Sequence, residues 1–184
     1  MLLNTLFPFG MSVGWLKASN FQFDNEQLKH WILHTGSLTE RLEALTSAFS
    51  VELLGQGHAP LDSSEQKILK LELCNSEQWQ VREVILHGDG QPWVFARSVI
   101  PSLLCDTSLA NLGNNPLGKR IFNDEKFKRS DFEVGSVNTH PFTKRQMEAN
   151  TLLARRSLFG FEGQSVLVAE AFLPDCPCYL RDKD

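Results

Sequence analysis

The sequence has no long run of apolar residues, no excess of basic charge and no early cluster of positive residues. Its 184 residues include 18 Lys and Arg against 22 Asp and Glu, which leaves a formal net charge of −4. This balance argues against a nucleic-acid-binding protein that relies on a general basic surface. No apolar stretch reaches the length of a membrane span. The amino-terminal residues also lack the positive start and cleavage site of a signal peptide, so we expect a cytoplasmic protein.

Motifs for metal and nucleotide chemistry are missing as well. The cysteines are few: Cys74, Cys105, Cys176 and Cys178. The last two form a C-x-C pair without a second Cys or His pair at zinc-ligand spacing, so we expect free thiols. His30 and His34 share a predicted helix face, but no acidic residue between them completes a zinc-protease motif. The loop at 113–119 lacks the spacing of a phosphate-binding loop, so the residues support neither a metal site nor nucleotide chemistry.

Length and patterning predict a single α+β domain over residues 1–184, with 42% hydrophobic residues available for its core. One helix is predicted to begin at Asp24, and the capping-box spacing from Ser37 to Glu40 predicts a second. Two short helices are predicted at 107–112 and 116–122. Strands are predicted at 51–54, 68–73, 79–87, 92–100, 132–137, 151–159 and 165–173. Strands joined by short hairpins indicate an antiparallel sheet.

The segment 81–101 predicts a β-hairpin with two arginines on its apolar face. Asp89 and Gly90 separate two β-type runs and are typical of a two-residue turn. Such a turn sets three pairs opposite each other: Leu86 with Trp93, Val84 with Phe95, and Arg82 with Arg97. Two guanidiniums on a core-facing side repel each other and lose hydration. Because arginine grips carboxylates with two parallel hydrogen bonds, Arg82 and Arg97 point to a carboxylate ligand.

Two alternatives remain open for this arginine pair. The side chains can reach solvent or form salt bridges to Glu83 or Glu133, as surface arginines commonly do. A three-residue loop, instead of the two-residue turn, would move Arg97 to the opposite face of the hairpin. Arg155 and Arg156 are a weaker signal, because neighbouring strand residues point to opposite faces and at least one should meet solvent.

Glu170 is a lone carboxylate in an apolar strand. Both alternating faces of the run 165–173 are apolar, so Glu170 is predicted to be buried on either face. Burial raises the pKa of a carboxyl group unless an arginine or hydrogen-bond donors hold its charged form. A protonated Glu170 can act as a general acid, and an ionised one as a base or acceptor. The alternative is a structural ion pair with an arginine.

Five segments run in order between Asp24 and Pro174. They are GSLTER at 36–41, the hairpin strand pair from Arg82 to Pro101, NPLG at 115–118, SDFE at 130–133 and EAFLP at 170–174. In these segments the sequence resembles the chorismate pyruvate-lyase family, bacterial enzymes that eliminate pyruvate from chorismate to make 4-hydroxybenzoate for ubiquinone. The arginine-containing hairpin and the closing glutamate strand are the most specific parts of the resemblance.

The resemblance implies a six-stranded antiparallel sheet with helices on one side and flaps over a buried ligand pocket. It also implies catalysis without a metal or an organic cofactor. Because an enclosed apolar pocket with an arginine clamp should hold the product well, we also expect inhibition by 4-hydroxybenzoate. Arg82 and Glu170 would be the catalytic residues, with Arg82 on the ring carboxylate and Glu170 on the ring oxygen at the far end. Leu38 and Leu117 would contact the substrate at the flaps, and Arg97 would add positive charge.

The sequence departs from the family pattern at two of these places. Leu38 stands where the family has Met, a change that a main-chain contact tolerates. Ala96 stands where the family has Gly, beside Arg97, so local packing and product retention are expected to differ.

The implied fold also serves as the effector domain of some bacterial transcription regulators. A non-catalytic domain that binds small carboxylates is therefore the alternative function. Such regulators carry a DNA-binding helix-turn-helix ahead of the sensor, whereas residues 1–23 contain one Lys and no Arg. We therefore expect an enzyme, monomeric, with chorismate as its small-molecule partner and with no nucleic-acid or membrane partner.

Overall fold

The protein folds as an antiparallel sheet with short helices, seen in a computed structural model that describes residues 7–71, 78–106, 109, 115–137 and 152–180. In chain order the elements are β1 (Leu16–Lys17), α1 (Glu26–Ile32), α2 (Leu38–Glu43), β2 (Phe49–Gly57), α3 (Ser63–Ile68), β3 (Trp79–Gly88), β4 (Gln91–Pro101), α4 (Ser102–Asp106), α5 (Leu117–Phe122), β5 (Lys128–Arg129), β6 (Glu133–Val137), β7 (Leu152–Phe161) and β8 (Gln164–Phe172). Short 3-10 helices lie at Ala18–Asn20 and Pro177–Tyr179. The predicted α+β class is confirmed.

The strands form one sheet in the order β1-β6-β7-β8-β4-β3-β2, and β5 pairs with β7 outside this path. All of these pairs are antiparallel. β1 and β5 have two residues each. The remaining strands are the six longer ones of the predicted sheet, each with at least five residues.

The predictions made from local sequence have different outcomes. Helix α1 begins two residues after the predicted start at Asp24, with Asn25 as its cap, and α2 begins directly after its predicted cap, Ser37. Each cap accepts a hydrogen bond from the main-chain N–H group three residues ahead. The predicted strand at 68–73 is wrong where it is described, since Ile68 ends helix α3. That helix begins with a reciprocal capping box between Asp62 and Glu65. The predicted helix at 107–112 lies almost entirely outside the described residues.

The β3–β4 hairpin has the predicted turn and a different register. Asp89 and Gly90 form the two-residue turn with φ values of 49° and 78°. A bulge follows immediately in β4, so Leu86 lies opposite Val94 instead of Trp93. Trp93 and Val94 both pack into the same core cluster, because the bulge turns these neighbouring side chains toward one side.

The bulge separates the two arginines of the hairpin. Arg82 lies opposite Ser98, and Arg97 lies opposite Glu83. The predicted pairing of Arg82 with Arg97 is wrong, because a shift of one residue exchanges the faces of a strand. Arg97 thus lies on the face that a longer loop would have given it, although the cause is the bulge.

Both faces of the sheet are covered. One face, here called the helix face, carries Arg82, Ala96, Arg155 and Glu170. The opposite face carries Glu83, Arg97, Arg156 and Ala169. Helices α1, α2 and α5 pack on the helix face, where their buried apolar residues join the sheet's core clusters. Helix α3 and the segment around Met11 cover the opposite face.

Candidate active site

A small cavity lies between the helix face and the two helices α2 and α5. Its volume is about 30 Å³, room for one or two water molecules. The cover comes from the residues that open α2 and from Gly118 and Ile121 of α5. The floor is the sheet, including Arg155, Glu170 and Arg129. Charged groups therefore line a nearly closed space, which is typical of a binding site for a small polar molecule.

Glu170 is held in this cavity by Arg155, its neighbour across the β7–β8 hairpin. Nε of Arg155 donates to Oε2 of Glu170 over 2.6 Å. Nη1 of Arg155 donates to the main-chain oxygens of Ile32 and His34, over 2.9 and 3.0 Å. The guanidinium therefore ties the carboxylate to the end of α1 and restricts the carboxylate to one position.

Arg155 was missed as a candidate site residue, and the prediction that Arg155 or Arg156 meets solvent is wrong. The two side chains are 3% and 6% exposed, because both faces of the sheet are covered. The turn at Glu162 and Gly163 was the available signal. A two-residue turn there sets Arg155 directly opposite Glu170.

Arg129 brings a second guanidinium to the cavity wall. Its main chain pairs with Phe159 of β7, so its side chain lies on the helix face. The guanidinium carbon is 4.3 Å from the ring centroid of Phe132, and that of Arg155 is 4.6 Å from the same centroid. Burial lowers the pKa of Arg129, and the nearby Arg155 lowers it further, while Glu170 acts in the opposite direction. Sequence reasoning missed Arg129 too, because β5 is too short for a strand pattern.

The positive charge of the cavity comes from its arginines and not from the nearby His34. Burial lowers the pKa of His34, and the charges of Arg41 and Arg155 lower it further. His34 is therefore neutral near pH 7. Two guanidiniums against the single carboxylate of Glu170 leave a surplus positive charge, which suits an anionic ligand.

Arg82 lies on the same face as Glu170 but outside the wall of this cavity. It is 2% exposed, and burial lowers its pKa. Its Nη1 donates to Oε1 of Gln56 over 3.0 Å, and its Nη2 donates to the main-chain oxygen of Asn115 over 3.1 Å. Across β4, its Cα lies about 12 Å from that of Glu170, given the usual spacing of strands and residues in a sheet. The structure therefore brings Arg82 and Glu170 to one buried face.

Leu38 and Leu117 are the first residues of α2 and α5. Both are buried, and Leu38 lines the cavity directly. Main-chain N–H groups in the first turn of a helix have no partner within the helix. Both residues are thus placed where a main-chain donor can meet a ligand under the helices. Ala96, the second residue that departs from the family pattern, lies opposite Glu170 in the sheet.

Arg97 is not brought together with these residues. On the opposite face, its Nε and Nη2 donate to the carboxylate of Glu65 over 2.7 and 3.0 Å, and its Nη1 donates to Glu83 over 2.8 Å. Glu83 also accepts from the main-chain N–H groups of Phe9 and Gly10. Burial alone would lower the pKa of Arg97, but the hydrogen bonds and charges of the two glutamates outweigh it and raise this pKa. Arg97 therefore joins α3 and the amino-terminal segment to the sheet.

The part of the chain that the structure describes shows neither a metal-ligand cluster nor a membrane-spanning helix. That part holds no group of three or more His, Cys, Asp or Glu residues able to bind a metal ion. Its cysteines, Cys105, Cys176 and Cys178, are free thiols. Cys74 lies outside the described residues. No helix within the described ranges is long and apolar enough to cross a membrane.

A family model and proteins of similar sequence all carry the name of chorismate lyase. The family model for chorismate lyase matches residues 10–183. A probable chorismate pyruvate-lyase from Pseudoalteromonas atlantica is 40% identical over 184 residues, which cover 97% of this chain and 94% of the relative. Another probable chorismate pyruvate-lyase, from Vibrio vulnificus, is 37% identical over 174 residues, which cover 91% of this chain and 90% of the relative.

Solved structures of low sequence identity share the fold. The effector domain of PhnF from Mycobacterium smegmatis aligns with a TM-score of 0.53 at 10% identity, covering 76% of this chain and 90% of that domain. A GntR-family transcriptional regulator from Bacillus cereus aligns with a TM-score of 0.53 at 11% identity, covering 75% of this chain and 98% of the regulator. At such identities the likeness concerns the fold alone.

The resemblance first seen in five short segments is thus confirmed over most of the sequence. The matched range of the family model includes every segment that carried it. The chain belongs to the chorismate lyase family.

Proposed function

We propose that this protein is a chorismate pyruvate-lyase that converts chorismate to 4-hydroxybenzoate and pyruvate, for ubiquinone biosynthesis, without a metal or an organic cofactor. One observation carries the proposal. Arg82, a buried cation, and Glu170, a carboxylate fixed by Arg155, share the covered helix face of the sheet. A substrate with a carboxylate at one end of a ring and a hydroxyl at the other matches this pair.

In the proposed complex, the ring carboxylate of chorismate binds Arg82. Arginine binds a carboxylate through parallel hydrogen bonds, and here it would exchange its contacts with Gln56 and Asn115 for the ligand. Main-chain N–H groups at Leu38 and Leu117 are the further donors. A main-chain contact explains why Leu38 can replace the methionine of the family pattern.

At the other end of the ring, Glu170 accepts a hydrogen bond from the C4 hydroxyl. The salt bridge to Arg155 holds one oxygen of Glu170 in place, and the carboxylate lines the cavity. A fixed acceptor holds the ring in one orientation, against which the site can hold the enolpyruvyl arm on C3 close to the C4 hydrogen. Orientation of this kind contributes to catalysis because the reacting atoms no longer have to find one another.

The elimination then breaks the bond between C3 and the ether oxygen and the bond between C4 and its hydrogen. In the cyclic route, this hydrogen passes to the methylene carbon of the arm, the ether oxygen becomes the carbonyl of pyruvate, and the ring gains its last double bond. In the stepwise route, a protonated Glu170 acts as general acid and gives its proton to the ether oxygen as the C3–O bond breaks. The C4 proton then passes to the Glu170 carboxylate, and the released enolpyruvate tautomerises to pyruvate. In both routes the nearby guanidiniums stabilise negative charge that develops on that oxygen.

The experiment that tests the proposed function is an assay of the purified protein with chorismate in the presence of EDTA. We expect 4-hydroxybenzoate, followed by absorbance, and pyruvate, followed by a coupled reaction, to appear in equal amounts. Turnover that requires an added metal would contradict the cofactor-independent reaction. Absence of turnover, with thermal stabilisation by 4-hydroxybenzoate, would indicate the non-catalytic binding domain instead.

Product inhibition is the expected consequence of a covered site. The cavity beside Glu170 lies under α2 and α5 and holds only about 30 Å³, so we expect these helices to shift when the ring binds and again when it leaves. Because 4-hydroxybenzoate keeps both the carboxylate and the hydroxyl, it should compete with chorismate and leave slowly. Initial rates measured with increasing 4-hydroxybenzoate will check this. Rates that are unchanged at product concentrations well above KM would contradict it.

A further inference from the structure

Of the two arginines that line the cavity, Arg129 is the one whose side-chain N–H groups donate to no acceptor within the described ranges. Arg155 already donates to Glu170 and to two main-chain oxygens. The Arg129 side chain, by contrast, forms neither a hydrogen bond nor an ion pair within the described ranges, and its guanidinium lies over the ring of Phe132. An unpaired guanidinium in a partly dehydrated wall is costly unless a ligand supplies the missing acceptor.

The position of Arg129 is nevertheless well defined. Its strand β5 pairs with β7. The next residue, Ser130, adds two hydrogen bonds to Leu158 of β7. The N–H of Ser130 donates to the oxygen of Leu158 over 2.8 Å, and the N–H of Leu158 donates to Oγ of Ser130 over 3.0 Å. Stacking on Phe132 restrains the guanidinium while leaving its N–H groups available. Arg129 is therefore a positioned donor for an anion and not a mobile surface cation.

The orientation of the substrate identifies that anion. This step rests on the proposed function, with the C4 hydroxyl at Glu170 and the ring carboxylate at Arg82. The enolpyruvyl arm is attached to C3, next to C4, so its carboxylate lies at the Glu170 end of the ring. We propose that Arg129 binds the enolpyruvyl carboxylate of chorismate. Arg155, near Arg129 and already paired with Glu170, adds a favourable charge at the same end.

This assignment gives the two ends of the site different roles. Arg82 and Glu170 contact groups that the substrate and 4-hydroxybenzoate share. Arg129 contacts a carboxylate that leaves with pyruvate, so its interaction is made with the substrate and lost with the product. Arg129 thus favours binding of chorismate over 4-hydroxybenzoate and is a specificity-determining residue.

The test compares Arg129→Ala with Lys128→Ala, a neighbouring change that removes one exposed positive charge from the same short strand. For Arg129→Ala we expect kcat/KM for chorismate to fall about ten- to hundred-fold, the usual effect of losing a charge-assisted hydrogen-bonded pair. The dissociation constant of 4-hydroxybenzoate, measured by titration calorimetry, should change less than threefold. Lys128→Ala should leave both quantities near the parent values.

Arg129→Lys, which keeps the charge and loses the planar fork, provides a second variant. It should show a smaller fall in kcat/KM with the same unchanged affinity for product. The inference is overturned if the folded variants keep the parent kcat/KM, or if substrate and product binding weaken equally. If the parent protein itself produces no pyruvate, the proposed function fails and this inference fails with it.

Discussion

Replacing Glu170 by alanine is expected to lower kcat for chorismate by about three orders of magnitude, a typical effect of removing a positioned acid or base. The large effect follows from how firmly this carboxylate is held. Its Oε2 lies 2.6 Å from Nε of Arg155, whose other donors are fixed by the end of α1. A water molecule in the truncated site would have no comparable restraint. Steady-state kinetics with chorismate will measure the loss.

Two further variants make this result specific to the site. Glu170→Gln keeps an oxygen acceptor of the same size and removes the charge, so it separates orientation of the C4 hydroxyl from the effect of the carboxylate's charge. Glu162→Ala removes an exposed glutamate from the turn of the same hairpin and should retain parent activity. Values of kcat within tenfold of the parent in both folded Glu170 variants would contradict the proposed role.

The position of Glu170 could be predicted from its strand, whereas its partner required a second step. Apolar residues on both sides of Glu170 indicate burial; Glu170 lies under the helices but is only partly buried, with 17% of its side chain exposed. Arg155 follows only when the register of the β7–β8 hairpin is worked out from the turn at Glu162 and Gly163. The sequence therefore contained this pair, provided that turn chemistry and strand alternation were combined.

The wrong pairing of Arg82 with Arg97 has a different origin. The same combination of turn and alternation fails in the β3–β4 hairpin, because a bulge follows a correctly predicted turn. The bulge allows Trp93 and Val94 to be buried together, a result of packing against α1 and α2 that no local pattern records. Arg129 is a similar case, because β5 exists only through its pairing with β7. Long-range packing thus decides which arginines reach the cavity.

Helix α3 begins at a capping-box pattern that the strand prediction for residues 68–73 did not use. Asp62 and Glu65 have the spacing of a capping box, and the structure contains both of its hydrogen bonds. The apolar residues from Ile68 onward favoured a strand instead. Short apolar runs do not by themselves distinguish a strand from a helix end, so the cap should have decided the assignment.

Replacing Arg97 by alanine is expected to destabilise the protein by about 3–5 kcal/mol, the usual cost of removing one partner from a buried ion pair. The variant leaves the carboxylates of Glu65 and Glu83 buried without their shared cation. It also loosens α3 and the amino-terminal segment, which this network attaches to the sheet. For a chain of this length, such a loss lowers Tm by about 10 °C. Thermal and urea unfolding will measure it.

The matched control is Lys119→Ala, which breaks the largely exposed pair with Glu43 and should change the stability by less than about 1 kcal/mol. Affinity for 4-hydroxybenzoate then separates the two roles considered for Arg97. If Arg97 acts only through the network on the opposite face, the folded fraction of Arg97→Ala binds the product as the parent does. Stability close to the parent, together with a loss of product binding, would instead return Arg97 to the ligand site. The bulge at Trp93 makes the first result the expected one, because it turns Arg97 away from the face that carries Arg82 and Glu170.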